Sequence, residues 1–311
     1  MLFFCKTNSE NHNNFVWIFF RRPAKENPGG RQERNLPENL RIGAEYGILM
    51  EKTAEARARE EKRFGMVTYE ARINGIDVTA RYSDRAVREI FLPLLRKLTA
   101  LQKEKGKRLL LMLAAPPGAG KSTLLSFLER LSRSDETLCP IQAIGMDGFH
   151  RRQEYLQSHE TLRDGKRISL VEIKGAPITF DLDRLSESIK KAASGAVCGW
   201  PVYDRLLHNP VENAVTVDSA IVALEGNYLL LDEDGWRELC AFADYTVSVQ
   251  AQEETLRSRL IDRRVKTGVD REAAQRFVDF SDMPNVRLCL SRTLPADLRL
   301  RVCADGDYEI V

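Results

Sequence analysis

Two hydrophobic rhythms divide the chain near residue 106. Before it, VTYEARINGIDVTARY alternates apolar and polar residues on both sides of Asn74-Gly75. That dipeptide supplies the two positive-φ residues of a type I′ turn, so the spacing predicts a β-hairpin. Folding about the turn sets Ile73 opposite Ile76, Ala71 opposite Val78, Tyr69 opposite Ala80 and Val67 opposite Tyr82 on one face. Arg72 then meets Asp77 on the other. A hairpin this small is not stable alone; capping the sheet, contacting substrate and building a homodimer would each cover it. Ser83 stands where it can cap a following helix, whose stripe is Val87, Ile90, Phe91, Leu94, Leu95 and Leu98. Pro93 inside that stripe predicts a kink or a late start.

After Lys107 short apolar runs alternate with helical stretches. The runs are Leu109–Ala114, Ile141–Met146, Ile221–Leu224 and Tyr245–Val249; the helical stretches include Lys121–Leu131, Leu182–Ala193 and Glu253–Lys266. Near-continuous apolar strands between helices predict an α/β fold, a mostly parallel sheet with helices on both faces. Residues 107–311 form this core, with residues 50–106 packed on it as a helix, the hairpin and a second helix. Glu51 to Arg63 is helical by propensity but lacks an apolar stripe, which predicts a solvated helix.

The first 49 residues read differently. From Arg21 to Arg41 the chain is rich in Pro, Gly, Asn and charge without periodicity, the signature of a disordered tail. Phe15–Phe20 is apolar but six residues long, where a bilayer span needs about 20. Its arginines follow the apolar stretch instead of preceding it, so no export signal and no membrane anchor are expected. Everything patterned lies after Met50, consistent with translation starting there. A net charge of +2 implies no large nucleic-acid footprint. The six cysteines are scattered without metal-ligand or CxxC spacing, as in a reduced, cytoplasmic protein.

The chemistry begins in LLLMLAAPPGAGKSTLLSFLERL. Ala115-Pro116-Pro117-Gly118-Ala119-Gly120-Lys121-Ser122-Thr123 follows a strand and opens a helix. It matches the P-loop pattern except that alanine replaces the first glycine. Such a loop turns its N–H groups toward phosphate oxygens at the positive end of a helix. Lys121 would reach the β- and γ-phosphates of a nucleotide, and Ser122 would ligate Mg²⁺. Two acids end later strands, Asp147 in GMDGFH and Glu225 in IVALEGNY. Ligands of open α/β sheets bind outside the carboxyl ends of strands. Phosphoryl transfer requires one carboxylate for the attacking hydroxyl and another for the metal. In LRSRLIDRRVKTG, Arg257, Arg259, Arg263 and Arg264 precede Gly268, the layout of a lid spanning about residues 252–270.

APPGAGKSTL, GMDGFH, GAPITFDLDRL, PVYDRLLHNP, ALEGNYLLL and FSDMPNVRL together resemble the P-loop kinases of the uridine kinase, pantothenate kinase and phosphoribulokinase group, in the order found there. The similarity spans Met66 to Val311 and is closest to bacterial members described loosely as nucleoside or sugar kinases. The resemblance implies ATP and Mg²⁺ as cofactors and a small-molecule acceptor. It casts Asp147 as the catalytic aspartate and sets Glu225 beside Mg²⁺ with Ser122. Phe180 and Asp181 lie where relatives shape the acceptor pocket. Tyr203, Asp204 and His208 fall in a loop that contacts the nucleoside in uridine kinases. Arg259 and Arg263 match lid arginines, and Asn285 a position near adenine. Arg205 replaces the aromatic residue that uridine kinases carry after the Tyr-Asp pair, and Arg151 and Arg152 add positive charge nearby. The expected acceptor is therefore polar or anionic: a sugar, a sugar phosphate or a carboxylate-bearing alcohol. His150 fits either an acceptor contact or a structural role. A P-loop NTPase that hydrolyses nucleotide without an acceptor is the alternative class. Neither an Asn-Lys-x-Asp guanine signature nor an LSGGQ-like stretch is present to favour it.

Overall fold

A computed structural model describes residues 65–73 and 75–311; the tail, the helix expected at Glu51–Arg63 and Asn74 lie outside the described residues. Strands β1 (Met66–Ile73) and β2 (Ile76–Ser83) form the hairpin in the expected register, Ala71 with Val78, Tyr69 with Ala80, Val67 with Tyr82 and Arg72 with Asp77. Ser83 Oγ accepts from Ala86 N at 2.9 Å, as its N-cap position requires. It also donates to Asp307 Oδ2 at 2.5 Å.

Helix α1, residues 84–105, does not start late at Pro93 but runs through it from Asp84. It widens instead into a π turn over Val87–Phe91, where Leu92 N bonds to Val87 O. Pro93 lacks an N–H and its ring crowds the carbonyl four residues back. The wider turn relieves both problems without breaking the helix.

The central sheet has six strands in the order β12-β11-β10-β3-β9-β4, where β3 is Leu109–Ala114, β4 Ile141–Gly145, β9 Ile221–Gly226, β10 Tyr245–Gln250, β11 Leu298–Val302 and β12 Tyr308–Ile310. All neighbours are parallel except β11 and β12. Between β4 and β9 run two hairpins, β5 (Glu160–Arg163) with β6 (Lys166–Ser169), and β7 (Cys198–Asp204) with β8 (Asn209–Val217). Both faces of the sheet are covered. Along β3, Leu109, Leu111 and Leu113 enter one core, and Leu110, Met112 and Ala114 the other. This two-sided burial is why the run is continuously apolar.

The hairpin belongs to the first of these cores. Tyr82 stacks on Phe127 at 4.4 Å between ring centroids, Phe91 lies edge-on to Tyr308 at 5.6 Å, and Tyr69 Oη meets Ser126 Oγ at 2.7 Å. Phe127 and Ser126 sit on α2 (Lys121–Arg133), the helix that follows the P-loop. The remaining long helices are α3 (Leu182–Ala193), α4 (Glu253–Lys266) and α5, residues 271–291. In α5, Pro284 again follows a π turn, at Val278–Asp282.

Candidate active site

The turn between β3 and α2 is compact, and Gly118 and Gly120 take φ of 83° and 85°. Gly118 is fixed twice over. A Cβ there would lie 3.1 Å from Leu260 Cγ and 3.2 Å from Leu256 O, both on α4. Ala115, in place of the first glycine, does not take positive φ; it is buried and its N–H donates to Gly226 O at 3.2 Å. Alanine therefore fits where the pattern asks for glycine. Helix α2 starts at Lys121 with no side chain capping its first amides, which leaves its positive end facing the loop.

Strand order brings the acids to the loop. Glu225 lies between Leu113 of β3 and Gly145 of β4, so the P-loop strand, Glu225 and the strand before Asp147 are adjacent. Ser122 Oγ donates to Glu225 Oε1 at 2.6 Å, and Lys121 Nζ is 3.9 Å from Glu225 Oε2. Ser122, Asp147 and Glu225 line one cavity of about 260 Å³. Gly145 packs closely against the acid: a Cβ there would approach Glu225 Oε1 to 3.3 Å. Gly148 has no room at all: its Cβ would fall 2.0 Å from Pro201 O.

The two carboxyls are pushed apart. Burial raises the Glu225 carboxyl, and the nearby negative charge of Asp147 adds to this against Lys121. Burial also acts to raise Asp147, but His150, Lys121, Arg205 and Arg263 together hold it below its ordinary range. The two neighbouring acids therefore differ in environment, with the surrounding positive charge centred on Asp147.

The acceptor-side residues divide into contacts and scaffold. His150 Nδ1 donates to Asp147 O at 2.9 Å, which leaves Nε2 as the acceptor nitrogen. Its ring lies 3.9 Å from that of Phe180 and 5.3 Å from that of Tyr203. Phe180 is 2% exposed, packed edge-on to Tyr228 and Trp236; it supports the histidine from within the core. Asp181 caps α3 and sits 3.9 Å from Arg151. Asp204 Oδ1 accepts from Leu206 N at 2.7 Å and Leu207 N at 2.9 Å, which ties that oxygen to the β7–β8 turn. His208 holds φ 52° in the same turn, and its carbonyl accepts from Lys174 Nζ at 3.1 Å. Tyr203 lines the cavity with Arg205.

The positive charge expected from Arg151 is answered by Asp181 and by the Tyr155 ring, 4.7 Å away. Lys174 was not legible in the sequence. Its Nζ donates to Gln153 Oε1 at 2.8 Å and lies 4.8 Å from the Tyr203 ring; only the topology brings residues 153, 174, 203 and 208 together. Arg72 and Ile73, at the hairpin tip, also line the cavity, and nothing in their local pattern signals it.

On α4, Arg257 pairs with Asp279 at 2.6 Å and Arg264 with Asp282 at 3.3 Å. Arg259 and Arg263 form no salt bridge among the described residues. The structure separates these two. Arg263 lies close enough to Asp147 and Arg205 for their charges to act on it. Arg259 Nη2 is 3.5 Å from a Cβ position at Gly306, beside Tyr308. Asn285 is buried, and its amide donates to Ser281 O at 3.1 Å and faces Gly175. None of these contacts brings it to the P-loop.

A glycine-shaped anion loop and two acids at neighbouring strand ends are the layout of a P-loop kinase. The chain belongs to this family, and its relatives by sequence include uridine kinase-like proteins and pantothenate kinases. It is 39% identical over 240 residues to the uncharacterised protein YggC of Escherichia coli, covering 77% of this chain and 97% of that one. It is 29% identical to a candidate uridine kinase of Schizosaccharomyces pombe (63% and 83% covered). A candidate fructose transport system kinase from Silicibacter sp. superposes with TM-score 0.58 at 30% identity, over 66% of this chain and 98% of that one. No protein-family model matches the chain. Among the described residues no helix is long and apolar enough to cross a membrane.

Proposed function

We propose that the protein is an ATP-dependent kinase that transfers the γ-phosphoryl group to a hydroxyl of a small metabolite. The observation that carries this is the convergence of Lys121, Ser122, Glu225 and Asp147 at the carboxyl ends of adjacent strands.

The residues fit the groups that the reaction needs. Positive-φ glycines and the uncapped start of α2 suit a polyphosphate. Ser122 Oγ and Glu225 Oε1, already 2.6 Å apart, are hard oxygen donors of the kind Mg²⁺ takes alongside nucleotide phosphates. When bound, Mg²⁺ offsets charge on the phosphate oxygens. Lys121 would bind the β- and γ-phosphates, and Arg263, near enough for its charge to act on Asp147, would stabilise charge on the transferred group.

Asp147 would hold the acceptor hydroxyl in line with the γ-phosphorus. As the acceptor oxygen bonds to phosphorus, the bond from phosphorus to the leaving oxygen of ADP breaks and the hydroxyl proton passes to Asp147. His150, oriented by its bond to the Asp147 carbonyl, presents Nε2 to an acceptor hydroxyl. Burial lowers the His150 imidazole, against the pull of Asp147, and keeps it neutral for that purpose.

The test is ADP formation with Mg·ATP, with and without pooled metabolite alcohols. Acceptor-dependent ADP supports the kinase. ADP release that no acceptor increases would identify a hydrolase instead.

A further inference from the structure

The cavity has an outer end as well as a reacting one. Its lining includes Arg72 and Ile73 of the β1–β2 hairpin and Tyr203 and Arg205 at the β7–β8 turn, of which the two arginines are exposed. The charge at this end is positive and only weakly answered. Arg205 is exposed and forms no salt bridge among the described residues, yet its charge is felt by both Asp147 and Glu225. Arg72 has only Asp77, 4.0 Å away with both side chains largely in water, a weak tie. The acids on the cavity are accounted for. Asp147 and Glu225 belong to the reaction, and Glu129 is held by Arg133 at 2.8 Å. Lys174 Nζ, over the Tyr203 ring, adds a third positive charge on this side.

The transferred phosphoryl group already has its cations in Lys121 and Arg263. Arg205 and Arg72 come from elements on the acceptor side of the cleft, remote in sequence from the P-loop and from α4. A guanidinium presents paired donors that match the oxygens of a carboxylate or phosphate. A flat neutral base would leave Arg205 without a salt bridge among the described residues and Arg72 with only its exposed tie to Asp77.

We propose that Arg72 and Arg205 hold an anionic group of the acceptor, so that the substrate is an alcohol bearing a carboxylate or a phosphate. The β1–β2 hairpin is then a specificity element as well as a core element. This inference rests on the kinase reading of the site.

The experiment uses the full chain with Mg·ATP and measures ADP formation with three separate sets of acceptors. Glycerol and ribose form the neutral set, glycerate and pantothenate the carboxylate set, and glycerol 3-phosphate and ribose 5-phosphate the phosphate set. The expected result is turnover of at least one anionic set with kcat/KM about 100-fold or more above the neutral set, the worth of one or two charge-assisted hydrogen bonds. Arg72→Gln and Arg205→Gln should each raise KM for that anionic acceptor about 10- to 100-fold with kcat and thermal unfolding little changed. Turnover of the neutral set alone, or of all sets equally, would overturn the charge inference and leave the kinase standing. Turnover of none would overturn both. A fall in kcat without a rise in acceptor KM would assign Arg205 to the transferred group and also overturn the proposal.

Discussion

Ser122 Oγ and Glu225 Oε1 are 2.6 Å apart although 103 positions separate them in the chain. Glu225 comes to Ser122 because β9 pairs directly with the P-loop strand, which makes the contact a property of strand order. Glu225→Gln keeps the shape and removes the charge. The expected outcome is a rise of about 10- to 100-fold in the Mg²⁺ concentration for half-maximal rate. Titrating Mg²⁺ at saturating ATP checks it; an unchanged Mg²⁺ dependence would remove Glu225 from the metal.

Asp147→Asn should lower kcat about 10²- to 10⁴-fold, the usual contribution of acid–base assistance, with little effect on nucleotide binding. Steady-state rates and binding of a fluorescent ATP analogue, measured on the same preparation, separate the two. A variant with near-normal kcat would show that Asp147 is not the base.

Gly148→Ala places a methyl group where Pro201 O already stands, 2.0 Å from the ideal Cβ. Strand β7 must retreat from the Asp147 turn to admit it. A loss of about 1–3 kcal/mol or more is expected, within the range for overpacking. Thermal or urea unfolding measures it, and a variant as stable as the parent would show that β7 yields at no cost.

Ser83→Ala removes the cap of α1 and the bond to Asp307 together. The expected cost is about 1–2 kcal/mol, typical of a lost N-cap. The same unfolding experiment reads it.

The His150 imidazole is held below its ordinary 6.5, first by burial and against the opposing charge of Asp147. The unfolded chain therefore takes up this proton at a higher pH than the folded one does. Stability from this group is fully present above about pH 6.5 and declines as pH falls below it. His150→Phe should flatten the slope of stability against pH between 5 and 7. An identical slope would show that other groups dominate.

How much was legible in the sequence depends on how local each cause is. The hairpin register followed from period-two alternation and one turn. The runs Leu109–Ala114, Ile141–Met146, Ile221–Leu224 and Tyr245–Val249 matched β3, β4, β9 and β10 because two-sided burial writes itself as unbroken apolar sequence. Helices α3 and α4 fell on Leu182–Ala193 and Glu253–Lys266 as expected. Strands β5 to β8, β11 and β12 and helix α5 were not anticipated; several are half-exposed, and their polar positions blur the period. Pro93 pointed to a kink or a late start, and the π turn before it was not foreseen because it depends on packing, which no local rule contains. The sequence could list Arg257, Arg259, Arg263 and Arg264 but not rank them. Asp279 and Asp282, on another helix, hold two of them and leave Arg259 and Arg263 without a salt bridge among the described residues.

By itself, the order of residues determined that a buried strand runs into a phosphate-shaped turn, and that acids end later strands. Those facts rest on backbone freedom and burial within a few residues. Only the tertiary structure decided that β9 and β4 stack beside β3 in that order, that Asp204 serves its own turn, and that the tip of an N-terminal hairpin reaches the cleft. Such contacts join positions far apart in the chain, and the free energy that selects them comes from packing both faces of one sheet.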